Sequence, residues 1–274
     1  MAQSNETILI ALTGLPSSGK SFFAEKLALE LDRSRGLRVM VISSDNVRAE
    51  MPVLKGRFIP DVENAMRRLS LARARSALRE GFPVIFDDLN YYRSMRRQLF
   101  TLARDLRIPH FLVHLATREK ECLALNAARG RKIPDTVITT DAIRFDPPGE
   151  EPWDAAFLTL SAMESTDAAI VRAADKITRR AGSAVPPLED SGTGTLERSR
   201  TEEIDLLSRR VIGDLYRQRG PSAHPKALRA KRISLVKDAV RRSLNDSAAE
   251  ALFQENLKDD FPPNAPNAPN ATGS

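Results

Sequence analysis

Gly14-Leu15-Pro16-Ser17-Ser18-Gly19-Lys20-Ser21 is the stretch of this chain most specific for chemistry. The spacing G-x-x-x-x-G-K-[ST], after a short apolar run and before a helical pattern, is that of a phosphate-binding loop. Its glycines let the backbone wrap around phosphate oxygens, and successive N–H groups at a helix N-terminus add partial positive charge. In that setting Lys20 reaches the β- and γ-phosphates of ATP and the Ser21 hydroxyl binds Mg²⁺.

Three further groups complete a phosphoryl-transfer set. Asp45 follows an apolar run in Ser43-Ser44-Asp45-Asn46-Val47-Arg48. An acid there can accept a hydroxyl proton or orient Mg²⁺-bound water, and Arg48 can neutralise the transferring phosphate. The same residues would also serve as a helix N-cap with an arginine on its solvated face. Asp87 and Asp88 end the run Val84 to Phe86, the layout in which an acid at a strand tip holds Mg²⁺; adjacent side chains on a strand diverge, so either can be the metal residue. Ala128-Arg129-Gly130-Arg131-Lys132 reads as a lid whose cations, Arg129 among them, close over ATP, or as an exposed basic helix end. Asn90, Tyr91, Tyr92, Arg96 and Arg97 form either an acceptor-side loop or buried tyrosines beside a basic helix face. His110 and His114 are ordinary strand residues, and Cys122 is a core filler.

These residues need a frame. Apolar runs at Ile8–Leu12, Val39–Ile42, Val84–Phe86, Phe111–Leu115 and Ala156–Leu160 alternate with helical patterns, such as Val62, Ala65, Met66, Leu69 and Ala72, ending in a helix over Asp167–Arg180. That order predicts an α/β fold, a P-loop kinase with a parallel sheet flanked by helices, over residues 1–182. Gly, Ser, Pro and Thr make 183–200 a linker. Helical spacing without strands makes 201–260 a small all-α C-terminal domain, and 261–274, with its Asn-Ala-Pro repeat, a disordered tail.

At 42% hydrophobic and 28% charged, the 274 residues have the balance of a soluble globular protein. No apolar run is long enough to span a membrane, and the start lacks a signal peptide's pattern, so a cytoplasmic protein is expected. A single cysteine allows neither an internal disulfide nor a zinc cluster. The net charge is +6. Within the helical domain Arg209, Arg210, Arg217, Arg219, Lys226, Arg229, Lys231, Arg232, Lys237, Arg241 and Arg242 read either as solvated surface or as a phosphate-backbone footprint for structured RNA.

The series Thr13-Gly14-Leu15-Pro16-Ser17 with Gly19-Lys20-Ser21, Ser44-Asp45 with Arg48, Pro52 and Lys55, Asp87-Asp88-Leu89-Asn90-Tyr91-Tyr92 with Ser94 and Arg96-Arg97, Arg129-Gly130 with Lys132-Ile133-Pro134, and Phe145-Asp146 with Pro148-Gly149 and Trp153 resembles the L-seryl-tRNA(Sec) kinase family. The resemblance covers Ile8 to Trp153 closely. It implies ATP-dependent phosphorylation of the serine on selenocysteine tRNA, with Asp45 as catalytic acid/base, Arg48 as its partner, Lys20 and Ser21 on nucleotide and Mg²⁺, and the basic helices on tRNA. The family's lid carries Arg-x-x-x-Arg; here Leu125 holds the first position and Arg129 the second. Either Arg131 or Arg118 substitutes, turnover is weakened, or the acceptor has changed. Two other readings compete: an RNA-associated regulatory ATPase, similar to the P-loop partner of the Elongator complex, and a small-metabolite kinase.

Overall fold

β1 (Leu9–Thr13) is buried along its whole length, as a strand covered on both faces must be. Its alternate residues serve two cores. Ile10 and Leu12 pack with Phe23, Leu27, Ile170 and Ile177, whereas Leu9 and Ala11 pack with Ala74, Leu78, Leu99 and Leu102. The computed structural model that supplies these contacts describes residues 7–51, 60–182, 200–220, 222 and 224–261.

From β1 the chain runs through α1 (Lys20–Arg35), β2 (Met40–Ile42), α2 (Ser44–Ala49), α3 (Pro60–Arg79), β3 (Val84–Phe86), α4 (Arg93–Leu106), β4 (His110–Leu115), α5 (Glu119–Ala128), α6 (Asp135–Arg144), β5 (Leu158–Leu160) and α7 (Asp167–Ala181). All strand pairs are parallel, in the order β2-β3-β1-β4-β5. Because β1 lies between β3 and β4, the loops after these three strands converge at the carboxyl edge, where open α/β sheets bind ligands. α1 and α7 cover one face, α3 and α4 the other.

The five strands and the helices on both faces agree with expectation. Two helices of this unit were not foreseen. α2 has six residues and starts where Ser43 Oγ accepts a hydrogen bond from Asn46 N at 2.9 Å; it is too short to show a period. α6, Asp-Thr-Val-Ile-Thr-Thr-Asp-Ala-Ile-Arg, is rich in weak helix formers, and follows shortly after the lid segment.

The chain divides into two units, Met1–Asp190 and Ser191–Ser274. The second contains α8 (Arg200–Arg219), α9 (Pro225–Arg241) and α10 (Asp246–Leu257), which pack on one another. Ile204, Val211, Leu228, Val236, Phe253 and Leu257 fill its core. α10 was not foreseen; its inward face is only Ala249, Phe253 and Leu257. Except for Arg200, the expected linker lies outside the described residues, as do the Asn-Ala-Pro tail beyond Phe261, Pro52 and Lys55. Among the described residues no helix is long and apolar enough to cross a membrane.

Candidate functional site

The loop from Gly14 to Ser21 is shaped by two positions that only glycine fits well. Gly14 has φ 149°, and a Cβ there would lie 2.6 Å from Leu115 O. Gly19, at φ 92°, turns the chain into α1. The Lys20 ammonium is folded back into the loop, donating to Gly14 O at 3.0 Å, Leu15 O at 2.6 Å and Ser18 Oγ at 3.4 Å. All three acceptors are neutral. Burial pulls Lys20 below the usual lysine range, against the fields of Asp87 and Asp88. A buried cation held only by neutral oxygens fits an anionic ligand, and a polyphosphate cradled by the loop is that ligand's natural form.

The two aspartates have different surroundings. Asp87 is buried and takes a hydrogen bond from the Ser21 hydroxyl; burial raises its carboxyl above the usual range, while that bond and Lys20 oppose the rise. Asp88 turns toward the other elements, accepting from Ser44 Oγ at 2.6 Å and Leu89 N at 2.8 Å and facing Arg67 NH1 at 3.4 Å. Ser21 and Asp87 are thus paired hard oxygen donors at the sheet edge, and they fit Mg²⁺, which takes few protein ligands and keeps water or phosphate for the rest. Among the described residues no group of three or more His, Cys, Asp or Glu gathers that could hold a metal by itself.

Asp45 lies in the first turn of α2, its side chain 85% exposed, and accepts from Arg48 NH1 at 2.5 Å. Its charge is felt at Asp87. The helix cap is Ser43 rather than Asp45, so the carboxylate is not consumed by capping. On the lid side, Arg129 NH2 donates to Ser17 Oγ at 2.7 Å, which brings α5's C-terminal cation onto the phosphate loop. Leu125, one turn earlier, is half-buried. Both candidates for the missing arginine pair with carboxylates of their own segments: Arg118 is bound by Glu121 at 2.6 Å, and Arg131 lies 3.6 Å from Asp135.

Of the residues that hold this arrangement, Arg67, Thr117 and Asp154 escaped the sequence reading, while Asn90 and Arg96 were read as acceptor-loop residues. Arg67 on α3 is buried and donates to Asn90 Oδ1 at 2.9 Å, Met95 O at 3.0 Å and Gln98 Oε1 at 3.2 Å, besides facing Asp88. Thr117 donates to Ser18 O at 2.8 Å and accepts from Ala162 N at 2.8 Å, linking the phosphate loop to the turn after β5. Asn90, at φ 42°, donates to Leu12 O at 2.7 Å. Arg96 and Asp154, each 1% exposed or less, form a two-point ion pair at 2.6 and 2.7 Å. Of the acceptor-loop residues, Arg96 and Asn90 are therefore interior struts. His110 and His114 are held neutral, burial pulling each down to about 4. Cys122 is buried, its thiol pushed up to about 11 by desolvation.

A five-stranded parallel sheet flanked by helices, with its phosphate loop after the central strand, is the fold of the P-loop kinases. A model of the family described as chromatin associated protein KTI12 matches residues 8–219. The chain belongs to that family. It is 29% identical to the L-seryl-tRNA(Sec) kinase of Methanococcus maripaludis over 93% of this chain and 96% of that one. It is 28% identical to Schizosaccharomyces pombe protein kti12 over 56% of each chain, so it spans little more than half of that relative. Among solved structures, Chaetomium thermophilum Kti12 in complex with ADP-AlF3 superposes with a TM-score of 0.50 at 25% identity, covering 62% of this chain and 97% of that one.

Proposed function

We propose that the protein is an ATP- and Mg²⁺-dependent kinase that phosphorylates the serine hydroxyl of seryl-tRNA(Sec), giving O-phosphoseryl-tRNA(Sec), with residues 201–260 as a tRNA-binding domain. The observation that carries this reading is Asp45: a carboxylate open to solvent, oriented by Arg48 and close enough to Asp87 for their charges to interact. A carboxylate so placed is available to an acceptor hydroxyl, which an ATPase without an acceptor would not need. The end-to-end similarity to an archaeal seryl-tRNA(Sec) kinase, running through both units, supports the same reading.

In this scheme Lys20 exchanges its bonds to Gly14 O and Leu15 O for phosphate oxygens. Ser21 and Asp87 would hold Mg²⁺, which when bound would supply positive charge against the phosphates. Asp45 accepts the hydroxyl proton as the serine oxygen attacks, and Arg48 steadies the carboxylate. Arg129 lies at Ser17, positioned to cover the equatorial oxygens from the lid side.

Membership of the KTI12 family and the missing first lid arginine at Leu125 favour a second reading, an RNA-associated ATPase. Transfer from γ-³²P-ATP, with seryl-tRNA(Sec), seryl-tRNA(Ser), free serine or no acceptor, separates the two. Alkali-released phosphoserine from the selenocysteine tRNA alone is the expected result. Label appearing only as inorganic phosphate would replace the kinase with the ATPase.

A further inference from the structure

Two helices, α3 and α4, concentrate positive charge that phosphoryl transfer leaves unused. From Ala65 to Arg107 the chain carries ten arginines against four acids, an excess equal to the formal net charge of +6, so the rest of the chain is balanced overall. Several of these arginines are already engaged. Arg67 and Arg96 are interior, Arg73 is held by Glu50 at 2.6 Å and Arg93 by Glu150 at 2.7 Å. On α3 that leaves Arg68, Arg75 and Arg79. Arg68 and Arg79 are exposed and Arg75 is half-buried, and among the described residues no hydrogen bond or ion pair reaches any of the three. Helical geometry puts them on one line. At 3.6 residues per turn they fall within a sector of about 40° and span about 16 Å of the helix axis, opposite the buried side formed by Met66, Ser70, Ala74 and Ala77. The line starts beside the site, because Arg67, one residue before Arg68, faces Asp88 at 3.4 Å and donates to Asn90 Oδ1 at 2.9 Å. It ends at the turn that leads into β3.

A solvated helix crest usually mixes the two signs, because like charges four residues apart repel. Between Glu63 and Glu80 α3 has no acid at all, so Arg75 and Arg79 repel one another until an anion lies across them. The crest also lacks an apolar anchor, since the residues between the arginines on that side are Ala72 and Ser76. A membrane-surface helix or a protein hot spot would put large apolar or aromatic side chains there. A straight cationic line with small residues between its charges fits a regular polyanion instead. A nucleic-acid duplex places a negative charge about every 1.7 Å of axis, so such a line meets several phosphates whatever the base sequence, and each guanidinium can hold a phosphate through two oxygens. Duplex RNA is read largely through such backbone contacts. We propose that the outer line of α3 is a phosphate-backbone footprint on the kinase unit itself, which holds a duplex stem of the RNA acceptor beside the site. For the identity of that RNA the proposal rests on the seryl-tRNA reading.

The test measures binding of seryl-tRNA(Sec), and of a short RNA hairpin with a duplex stem, to the full chain across a salt series. Arg68→Gln, Arg75→Gln and Arg79→Gln combined should weaken binding of both RNAs roughly tenfold or more and flatten log Kd against log salt by up to about three units. The KM for seryl-tRNA should rise, with kcat and the KM for ATP unchanged. Lys at the same three positions should keep most of the slope, because counterion release counts charge. Gln in place of Arg38, Arg172 and Arg180, which are exposed on other elements, should leave the slope nearly unchanged, and all three variants should melt within a few degrees of the wild type. An unchanged slope in the α3 Gln variant, an equal loss in the control variant, or no binding of either RNA by the wild type overturns the footprint. So does a loss of affinity for vesicles of anionic lipid with RNA binding intact, which would assign the line to a membrane surface. Phosphoryl transfer to seryl-tRNA with an unaltered slope would keep the kinase and remove the footprint. The expected loss of slope without any transfer would remove the kinase and keep the footprint.

Discussion

Asp87 and Asp88 are adjacent and chemically identical, yet the fold gives them different work. Asp87 meets Ser21 and the field of Lys20, so Asp87→Asn should reduce phosphoryl transfer on the order of a hundredfold and raise the Mg²⁺ needed for half-maximal rate. Asp88→Asn keeps an acceptor for Ser44 but removes the charge facing Arg67. It should cost about 1–3 kcal/mol in denaturant unfolding while changing kcat less than Asp87→Asn does. The two variants measured side by side would assign the metal residue; equal kinetic losses would show that both act on the metal. Asp141 makes a prediction about pH. Burial raises its carboxyl to about 6, with Arg144 and Lys20 opposing, while Tyr91 beside it stays protonated because its own burial lifts it well above the usual phenol range. The folded chain therefore holds a proton that the unfolded chain releases near 3.8, so this group's contribution is fully favourable below that value and is lost as pH rises through about 6. The difference comes to about 3 kcal/mol. Asp141→Asn should be more stable than wild type at pH 7.5, and the gap should narrow by about 1 kcal/mol on acidification to pH 5. A gap independent of pH would mean that Asp141 titrates normally.

The elements that aim these residues are locked by contacts between segments far apart in the chain. The start of α4 is pinned through Arg96, which holds Asp154 on two oxygens and also donates to Asn90 O at 3.1 Å and Asp146 O at 2.9 Å. A buried pair of this kind is weak evidence for stability as a whole, but removing one member strands a charge. Asp154→Ala should therefore cost about 3–5 kcal/mol, and Arg96→Met combined with Asp154→Leu distinctly less than the sum of the single changes, measured as a double-mutant cycle in urea. Additivity would show that the pair is not coupled. This layer is also where sequence reading stops. The strands were legible because each is a short apolar run between turns, and the phosphate loop because its spacing is local. Arg67 and Thr117 were not, since their partners lie between 21 and 99 residues away and a lone Arg or Thr in a helix or loop carries no sign of that distance. Arg96 looked like one more basic residue on a polar loop until Asp154 was placed opposite it. α2 and α6 hid for another reason, one being too short and the other too rich in Thr and Asp to show a period.

At the scale of the whole molecule, the basic C-terminal unit is less uniformly a surface than its composition implies. Arg209 and Arg232, both about 5% exposed, close on Asp205 and belong to the interior between α8 and α9. Lys231 pairs with Asp260 at 2.8 Å, and Arg241 and Arg242 both lean on Asp238 while remaining exposed. The cations available to a polyanion are therefore the exposed ones, Arg210, Lys237, Arg241 and Arg242 among them. Charge on the surface and charge in the core make opposite predictions about tRNA. Replacing those four by Gln should leave the melting temperature within a few degrees of wild type. It should also flatten the dependence of log Kd for tRNA on log salt by up to about four units, because each phosphate that is no longer neutralised keeps roughly one counterion that binding would have released. Arg232→Gln should act in reverse, lowering the cooperativity and temperature of unfolding because Asp205 loses a partner, and weakening tRNA binding only as far as the unit unfolds. An unchanged salt slope after the four surface replacements would remove these helices from the proposed tRNA-binding surface, and their basic composition would be explained by the Asp205 core and ordinary solvation.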